Sequence, residues 1–300
     1  MTGASGFLGS HLCETLLKKG YDVVGATYTK GMPLAHVSDH PSFTELHVDI
    51  RNAAALRTRI QQHKPRGIFH TAALLPSGNT DDPFPFFEQN ARGTLNVLEA
   101  ARQEGVEACI YSSTMNVYGK ANYLPVDEHH PTNPDNFYGL SKLVGEEYAL
   151  LFAKKYDLRS VILRYPGIYG PRKDSGAVAT FIARAHRREP IELDINIAWD
   201  IVYVEDVVEA NIRAYENRER LNGQVINIGS GREVEIETLA EHVVKLFGSH
   251  SKIVKGKDFS DTPSLRFYFN IDKAREMLAF EPSTLDDGLV TYITEEIGPL

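Results

Sequence analysis

Apolar residues recur along the first 170 positions with two alternating spacings. Short, mostly apolar runs predict strands at 22–27, 43–48, 67–71, 107–112 and 159–164. Segments with a helical repeat lie between them and predict helices at 7–19, 52–63, 84–103 and 136–156. Strands that alternate with helices in this way form a parallel sheet with both faces covered, so the pattern predicts a doubly wound α/β fold.

The alternation loosens after Pro171 into helices, short strands and proline-containing loops. These segments lie at 176–187, 191–193, 201–216, 224–228, 235–247 and 271–279. We therefore predict a dinucleotide-binding domain at 1–170 and a smaller lobe at 171–300, some of whose segments return to the sheet. Ligands of open parallel sheets bind at the carboxyl ends of the strands, so we expect this lobe to bind substrate there.

A glycine-rich turn opens the first predicted helix, in the run Thr2-Gly3-Ala4-Ser5-Gly6-Phe7-Leu8-Gly9. Such a turn, followed by a helix and a strand, is typical of a Rossmann-type sheet in which the helix N-terminus faces a pyrophosphate. A buried strand ordinarily feeds into the turn, whereas only Met1 precedes Thr2 here. We therefore expect the first, central strand of the sheet to be truncated.

Tyr138 and Lys142 stand four residues apart in a predicted helix, so they share one of its faces. There the Lys142 ammonium is expected to lower the pKa of the Tyr138 phenol, which is about 10 in free tyrosine. A tyrosine tuned in this way exchanges a proton with an alcohol or ketone near neutral pH. Beside a nicotinamide bound at the glycine turn, it provides half of a hydride-transfer site.

Composition argues against several other classes of protein. The net charge of −8, without a basic run, disfavours binding to nucleic acid or an anionic membrane. We find no apolar stretch near the ~20 residues that span a bilayer, and no signal-peptide pattern. Cys13 and Cys109 fall in predicted core elements, which suits a reducing cytosol and predicts a cytoplasmic protein. The eleven histidines show no metal-ligand spacing, so no metal is expected.

The glycine turn and the Tyr-Lys pair, together with several other runs, resemble the extended short-chain dehydrogenase/reductase family, in its NAD-dependent epimerase/dehydratase branch. The resemblance covers nearly the whole chain, and the runs follow one another in the family's order. They are Val48-Asp49-Ile50-Arg51, Phe69-His70-Thr71-Ala72-Ala73, Asn90-Ala91-Arg92-Gly93-Thr94, Tyr111-Ser112-Ser113-Thr114, Arg164-Tyr165-Pro166-Gly167-Ile168, Tyr203-Val204-Glu205-Asp206 and Asn227-Ile228-Gly229-Ser230.

The resemblance implies roles for individual residues. Tyr138 would be the general acid/base, Lys142 would lower its pKa and bind the nicotinamide ribose, and Thr114 would hold the reacting oxygen. The expected cofactor-binding residues are Gly3, Ser5, Gly6, Phe7, Leu8, Gly9, Lys30, Asp49, Ile50, Thr71, Ala72, Ala73, Asn90, Ser112, Ser113, Tyr138, Lys142, Tyr165, Gly167 and Ile168. The expected substrate contacts are Thr114, Arg172, Trp199 and Arg266.

Two departures from the family pattern bear on cofactor choice and on dehydration. Thr27 stands where members that prefer NAD carry an acid for the adenosine ribose, and Lys30 could attract a 2′-phosphate, so we favour NADP over NAD. Met115 and Asn116 replace the Asp-Glu pair of the 4,6-dehydratases. Neither side chain can perform that proton transfer, so dehydration by that route is not expected.

A third departure concerns the substrate. Gly167, Trp199 and Thr262 stand where the nucleotide-sugar enzymes of the family carry an asparagine and two arginines. Because arginine is the usual bidentate ligand of phosphate, their replacement weakens the prediction of a nucleoside-diphosphate substrate. Arg172, Lys173 and Arg266 are the expected substitutes, and Trp199 could instead stack on a sugar or aromatic ring.

Three functions follow from these observations. The leading one is an NAD(P)-dependent oxidoreductase that transfers a hydride between nicotinamide and a secondary alcohol or ketone of a sugar-like substrate. The alternatives are a nucleotide-sugar 4-epimerase that retains NAD, and a catalytically idle dinucleotide-binding or redox-sensing module. By analogy with the family we also expect a homodimer through helices 84–103 and 136–156, which would form a four-helix interface.

Overall fold

The computed structural model of this protein describes residues 1–28, 34–76 and 82–298. The strands are β1 (Val23–Thr27), β2 (Phe43–His47), β3 (Gly67–His70), β4 (Ala108–Thr114), β5 (Arg159–Tyr165), β6 (Gly167–Tyr169), β7 (Ile191–Leu193), β8 (Ile197–Tyr203), β9 (Val225–Asn227), β10 (Glu233–Glu235), β11 (Ile253–Lys255) and β12 (Leu265–Phe267). The α-helices are α1 (Phe7–Lys18), α2 (Ala53–His63), α3 (Pro83–Phe86), α4 (Gly93–Gln103), α5 (Phe137–Lys155), α6 (Ala177–His186), α7 (Val204–Glu216), α8 (Ile236–Leu246), α9 (Asp272–Leu278) and α10 (Leu285–Glu296).

The main sheet is parallel and consists of the sections β2-β1 and β3-β4-β5-β9, with Met1 and Thr2 between them. Thr2 pairs with Ala26 on one side and His70 on the other. The Thr2 amide donates to the Phe69 carbonyl at 3.0 Å, and the Ala26 amide donates to the Met1 carbonyl at 2.7 Å. The doubly wound sheet is confirmed, and these two residues lie where a truncated central strand was expected.

Apolar layers cover both faces of this sheet. Every side chain of β4 is therefore buried, although successive side chains point to opposite faces. Cys109 and Tyr111 face the layer that includes α2, α4 and α5, whereas Ile110 faces the layer that includes α1 and α7. This alternation is the period-two geometry of a strand that is buried on both sides. Because β4 lies in the middle of the strand order, its carboxyl end lies at the centre of the edge that the carboxyl ends of the strands form.

Both cysteines are confirmed as core residues. Burial raises the pKa of the Cys13 thiol to about 11 and that of the Cys109 thiol to about 12. Within the described ranges, no helix has the length and apolarity that crossing a membrane requires, and no group of three or more His, Cys, Asp and Glu side chains could hold a metal ion. The cytoplasmic location stays a prediction.

The second half of the chain is built around β8. This strand pairs with β6 and β12 in parallel and with β10 in antiparallel orientation, while β9 joins the main sheet beside β5. The return of a later segment to the sheet was expected, whereas the strand at Ile197–Tyr203 and helix α10 were not. In α10, Leu289, Tyr292 and Ile293 face the core over only two turns, so the helical repeat is short. The division into two domains stays a prediction.

Candidate active site

The glycine turn lies beside the carboxyl end of β3 and opens α1. Gly3 has a φ of 71°, and a Cβ there would lie 2.7 Å from the backbone nitrogen of Ala72, so only glycine fits. Gly6 is the N-cap of α1 and provides no side-chain cap, which leaves the first helical amides available to an anion. The turn that contains Gly3, Ser5, Gly6, Phe7, Leu8 and Gly9 therefore fits a dinucleotide pyrophosphate.

The segment after β3 forms one wall beside this turn. The Thr71 hydroxyl donates to the Thr2 carbonyl at 2.8 Å, and Ala72 and Ala73 follow it along the chain. The contact holds the end of β3 against the start of the glycine turn. Thr71, Ala72 and Ala73 therefore lie at the edge where the cofactor was expected.

Asn90 holds the next part of that wall. Its side-chain oxygen accepts from the Leu74 amide at 2.7 Å, and its nitrogen donates to the Ser141 hydroxyl at 3.0 Å. It lies in a π-helical turn, Phe87–Arg92, that joins α3 to α4 without a break, so the predicted helix at 84–103 is confirmed and contains this turn. A π-turn inserts one residue into a helix and frequently occurs at functional sites. Here it points the Asn90 amide at the segment after β3.

The carboxyl ends of β1 and β2 form the side where the adenosine ribose was expected. Asp49 binds Arg51, with Nη2 and Oδ2 2.7 Å apart, and this hydrogen bonding lowers the pKa of Asp49. Thr27 is buried, and its hydroxyl donates to a carboxylate oxygen of Glu45 at 3.3 Å. Lys30 lies outside the described residues. Sequence reasoning missed Glu45, because β2 supplies it from a neighbouring strand.

A second residue of this side, Ile50, is buried under α4. A Cβ on Gly93 would lie 2.7 Å from the Ile50 side chain. The side-chain nitrogen of Asn96 donates to the Ile50 carbonyl at 2.9 Å. These contacts fix the segment that follows β2 against α4. Asp49 and Ile50 thus lie next to each other on the expected edge.

The end of β4 and the first turn of α5 bring the proposed catalytic groups together. Asn136 caps α5 by accepting from the Gly139 amide at 2.7 Å. A Cβ on Gly139 would overlap the Asn116 carbonyl oxygen, so glycine allows the helix to approach the end of β4. In this arrangement the Tyr138 hydroxyl lies near the Thr114 side chain, which favours the phenolate. The sequence had predicted both residues without their contact.

The protonation states differ from the sequence prediction. Burial raises the pKa of Tyr138 to about 12, against the opposing effect of the nearby Thr114 side chain. Lys142 is also buried, and its ammonium nitrogen lies 4.2 Å from the centre of the Tyr111 ring. Burial lowers the pKa of Lys142 to about 7. The expected decrease in the pKa of Tyr138 is therefore wrong for this arrangement, because desolvation of the phenolate outweighs the favourable contacts.

Asn116 orients the Thr114 hydroxyl. The Thr114 oxygen accepts from the Asn116 side-chain nitrogen at 3.0 Å and from its backbone nitrogen at 3.3 Å. With both donors on the oxygen, the hydroxyl proton of Thr114 points elsewhere, toward Tyr138 or a substrate oxygen. Sequence reasoning had considered Asn116 only as a missing acid. Its position two residues after a strand-end threonine, where side chains bond locally, was the available signal.

The other residues of β4 and β5 that were expected to bind the cofactor form side-chain hydrogen bonds with other residues of the protein. Ser113 donates to the Glu146 carboxylate, and Ser112 lies 3.5 Å from the Tyr165 hydroxyl. Asn211 donates to that same hydroxyl at 2.8 Å. These hydroxyls therefore support the strand ends. Glu146 was missed, although it follows Lys142 by four residues on the same helix.

A cavity of about 100 Å³ lies beside β6. Gly167, Ile168, Lys173 and Trp199 contribute to its lining. The Lys173 ammonium donates to the Ile168 carbonyl at 2.5 Å, and burial lowers its pKa. Helix α6 begins at the same cavity, so its N-terminal amides and Lys173 both supply positive potential there.

The two arginines expected to bind substrate lie elsewhere. Among the described residues that line this cavity there is neither Arg172 nor Arg266. Arg172 forms an ion pair of 2.8 Å with Glu14, and Arg266 pairs with Glu233. Of the expected substrate contacts, the structure thus brings Trp199 to the cavity and leaves both guanidinium groups with carboxylate partners.

Comparison with known proteins agrees with this geometry. The profile of the NAD dependent epimerase/dehydratase family matches residues 1–229. The UDP-glucose 4-epimerase of Rhizobium meliloti is 30% identical over 308 residues, which cover 94% of this chain and 91% of the relative. Two crystal structures of UDP-glucose 4-epimerases are similar. The Thermotoga maritima enzyme with UDP-glucose has a TM-score of 0.86 and 29% identity, covering 97% of this chain and 96% of its own.

The second structure is the Brucella ovis enzyme in complex with NAD, with a TM-score of 0.87 and 26% identity, covering 98% of this chain and 96% of its own. The Brucella ovis structure contains NAD, so this relative does not support the preference for NADP. The family match spans the glycine turn, Thr114, Tyr138 and Lys142. This chain therefore belongs to the NAD-dependent epimerase/dehydratase family of extended short-chain dehydrogenases/reductases, and it is an enzyme.

Proposed function

We propose that this enzyme is an NAD-dependent 4-epimerase of a nucleotide sugar. The observation that carries the proposal is the placement of Tyr138 near Thr114, one helical turn from Lys142 and on the edge that also holds the glycine turn. The similar UDP-glucose 4-epimerases of Rhizobium meliloti, Thermotoga maritima and Brucella ovis, the last with bound NAD, support the same chemistry. The epimerase, an alternative in the sequence prediction, thus becomes the leading function.

The chain's own groups carry the proton transfers of this reaction. In its phenolate form, Tyr138 accepts the proton of a secondary hydroxyl while the hydride leaves the same carbon, and it returns that proton when the hydride comes back to the other face. Because burial raises the pKa of Tyr138 to about 12, the Lys142 ammonium has to stabilise this phenolate during the reaction. The Thr114 hydroxyl donates to the reacting oxygen and stabilises its developing negative charge. Lys142 supplies the nearby positive charge. When bound, the nicotinamide accepts and returns the hydride.

We propose NAD rather than NADP as the cofactor. The Glu45 carboxylate lies 3.3 Å from the Thr27 hydroxyl at the end of β1. An acid in that place can accept from the ribose hydroxyls and would repel a 2′-phosphate. Arg51 is the cation on this side among the described residues, and its guanidinium is already paired with Asp49.

The nucleotide part of the substrate has a plausible anchor in spite of the missing arginines. Lys173 and the N-terminus of α6 face the cavity beside β6, and both favour the oxygens of a diphosphate. Trp199 lies in the same lining, where its ring can stack on a sugar or a base. This combination replaces a guanidinium pair with an ammonium and helix amides.

A second candidate is the oxidoreductase that releases its reduced cofactor. The observation in its favour is the lining of that cavity, which holds Lys173 and neither Arg172 nor Arg266 among the described residues. A smaller sugar-like substrate without a nucleotide would need no stronger phosphate site. Both candidates use the same Tyr138 chemistry.

Incubation with UDP-glucose or UDP-galactose, followed by chromatography of the sugars, separates the candidates. An epimerase interconverts the two sugars without net NADH, and a label at C4 of the sugar stays in the product. A dehydrogenase forms one NADH for each ketone produced from a panel of free and nucleotide-linked sugars. If no substrate of the panel turns over while NADH still binds, the idle dinucleotide-binding module is the better description.

We also propose a homodimer through the face formed by α3 and α5. Phe84 is 72% exposed, Phe137 40%, Leu140 48% and Leu151 43%. The α5 members recur at helical spacing, and a cavity of about 320 Å³ lies between Phe84 and Leu140. A second copy that packs its own α5 here would cover these side chains and form a four-helix interface.

A further inference from the structure

A buried ion pair lies directly below the proposed catalytic groups. The Glu146 carboxylate accepts from the Arg164 guanidinium, through Nε at 2.9 Å and through Nη2 at 2.5 Å. Their side chains are 1% and 6% exposed. Ser113, the neighbour of Thr114, donates to the same carboxylate. The pair therefore ties α5 to the ends of β4 and β5.

Glu146 also faces Lys142 from the next turn of α5, because residues four apart lie on one side of a helix. Three other titratable groups surround Lys142. Burial raises the pKa of Tyr111 well above its ordinary value, raises that of Tyr138 to about 12 and lowers that of His70 to about 3, so all three are neutral near pH 7. Among the described residues, Glu146 is the negative charge that acts on Lys142.

Arg164 reduces the effect of the Glu146 charge on Lys142. Its guanidinium is bound to Glu146 and lies 4.6 Å from the centre of the Tyr118 ring. Burial raises the pKa of Tyr118 to about 12, so this ring is neutral. On the far side the charges of Lys273 and Glu128 also face this cluster. The buried sequence of charges is thus positive, negative and positive, running from Lys142 through Glu146 to Arg164.

We propose that Glu146 and Arg164 are positioning residues that set the protonation state of Lys142. Glu146 favours the ammonium form, and Arg164 fixes the carboxylate and reduces its effect. The inference rests on the role of Lys142 in the proposed function, since only the ammonium supplies positive charge beside Tyr138. A pair that merely joined α5 to the sheet would hold the elements together without determining this charge.

The test is a direct titration of Lys142 in four forms of the full chain: the parent, Glu146→Gln, Arg164→Met and the double variant. The readout is NMR of lysines labelled with ¹³C at Cε, with the Lys142 signal assigned by its absence in Lys142→Met. This measurement needs no substrate, so it does not depend on whether the enzyme is an epimerase. Turnover is then followed across the same pH range.

We expect the parent midpoint to be about 7. Nearby charges shift a pKa by about one to three units, so Glu146→Gln should lower the midpoint by about one unit or more. Arg164→Met should raise it, and the double variant should lie between the two single variants. Equal midpoints in all forms, or shifts of the same sign in both single variants, would overturn the proposal.

Loss of one partner of a buried pair strongly destabilises a protein, whereas removal of both charges is often tolerated. If the single variants do not fold, the double variant and Glu146→Asp decide the question. Glu146→Asp keeps the charge and should keep a midpoint close to the parent's. The double variant should titrate at least half a unit lower, since Glu146 lies one helical turn from Lys142 and is the charge that acts on it. A double variant that titrates with the parent would contradict the proposal.

Discussion

The side-chain nitrogen of Asn116 donates to the hydroxyl oxygen of Thr114 at 3.0 Å. The Asn116 oxygen in turn accepts from Asn136 at 3.3 Å, and Asn136 caps the helix that carries Tyr138. One chain of hydrogen bonds therefore connects the helix start to the hydroxyl at the strand end. It fixes the direction of the Thr114 proton and the position of the Tyr138 ring together.

The Asn116 contact leads to a prediction for turnover. Asn116→Ala should lower kcat about tenfold with little change in KM, because a lost hydrogen bond of about 1.4 kcal/mol acts mainly where charge develops on the reacting oxygen. The measurement is steady-state kinetics of sugar interconversion. In a Thr114→Val background the same change should have no further effect, since its partner is absent. Independent, additive losses would show that Asn116 acts through something other than Thr114.

Tyr138→Phe should abolish turnover while NADH affinity stays within about twofold. The ring remains and only the transferable proton is lost, and acid–base catalysis typically contributes about 10²–10⁴-fold. Turnover and NADH fluorescence titration measure the two effects. Thr114→Ser, which keeps a hydroxyl, is the matched control and should retain activity. A Tyr138→Phe enzyme within threefold of the parent would remove Tyr138 from the mechanism.

Cofactor selection should depend on Glu45. The parent should bind NADH more tightly than NADPH, and Glu45→Gln should improve NADPH binding about tenfold relative to NADH, because it removes a carboxylate from the ribose side. Glu104→Gln, a change of another acid away from that edge, is the control. Fluorescence titration of both cofactors measures the ratio. A parent that prefers NADPH would mean that other groups recognise the ribose.

His70 should make the fold sensitive to acid. It is fully buried between the hydroxyls of Thr2 and Thr94, at 2.6 and 2.9 Å, and burial lowers its pKa from 6.5 to about 3. Between these values the unfolded chain binds a proton that the folded protein does not, so the free energy of unfolding falls as the pH decreases from 6.5 toward 3. The loss from this group is on the order of 5 kcal/mol.

Urea unfolding of the parent and of His70→Gln at several pH values measures this contribution. The variant lacks the titrating ring, so its stability should decrease less steeply with acid. Parallel curves for the two proteins would assign the acid sensitivity to other groups.

The proposed dimer can be tested by placing a charge on α5. Leu151→Glu should produce monomers, because it puts a carboxylate into the apolar face that the second copy would cover. Leu265→Glu is the matched control, since Leu265 is 40% exposed on β12 and Leu151 is 43% exposed. Light scattering after gel filtration gives the mass of each. Monomers in the parent, or in both variants alike, would contradict this interface.

Much of the fold and of the proposed catalytic set followed from local sequence. The alternating strands and helices predicted the parallel sheet because burial on both faces requires nearly continuous apolar runs. Gly3 was recognisable because its turn excludes a side chain, and Tyr138 and Lys142 because a helix places residues four apart on one face. These features depend on spacing along the chain, which the sequence contains directly.

Features that depend on distant partners needed the tertiary structure. The pKa of Tyr138 increases because the surrounding layers exclude water, and Glu45 reaches Thr27 only across the pairing of β1 with β2. Arg172 and Arg266 were plausible phosphate ligands until their carboxylate partners were located. The sequence by itself determined which chemical groups this enzyme has and which face of each element presents them. Only the tertiary structure decided which of these groups are buried away from water and which form ion pairs, because burial and pairing arise between segments far apart in the chain.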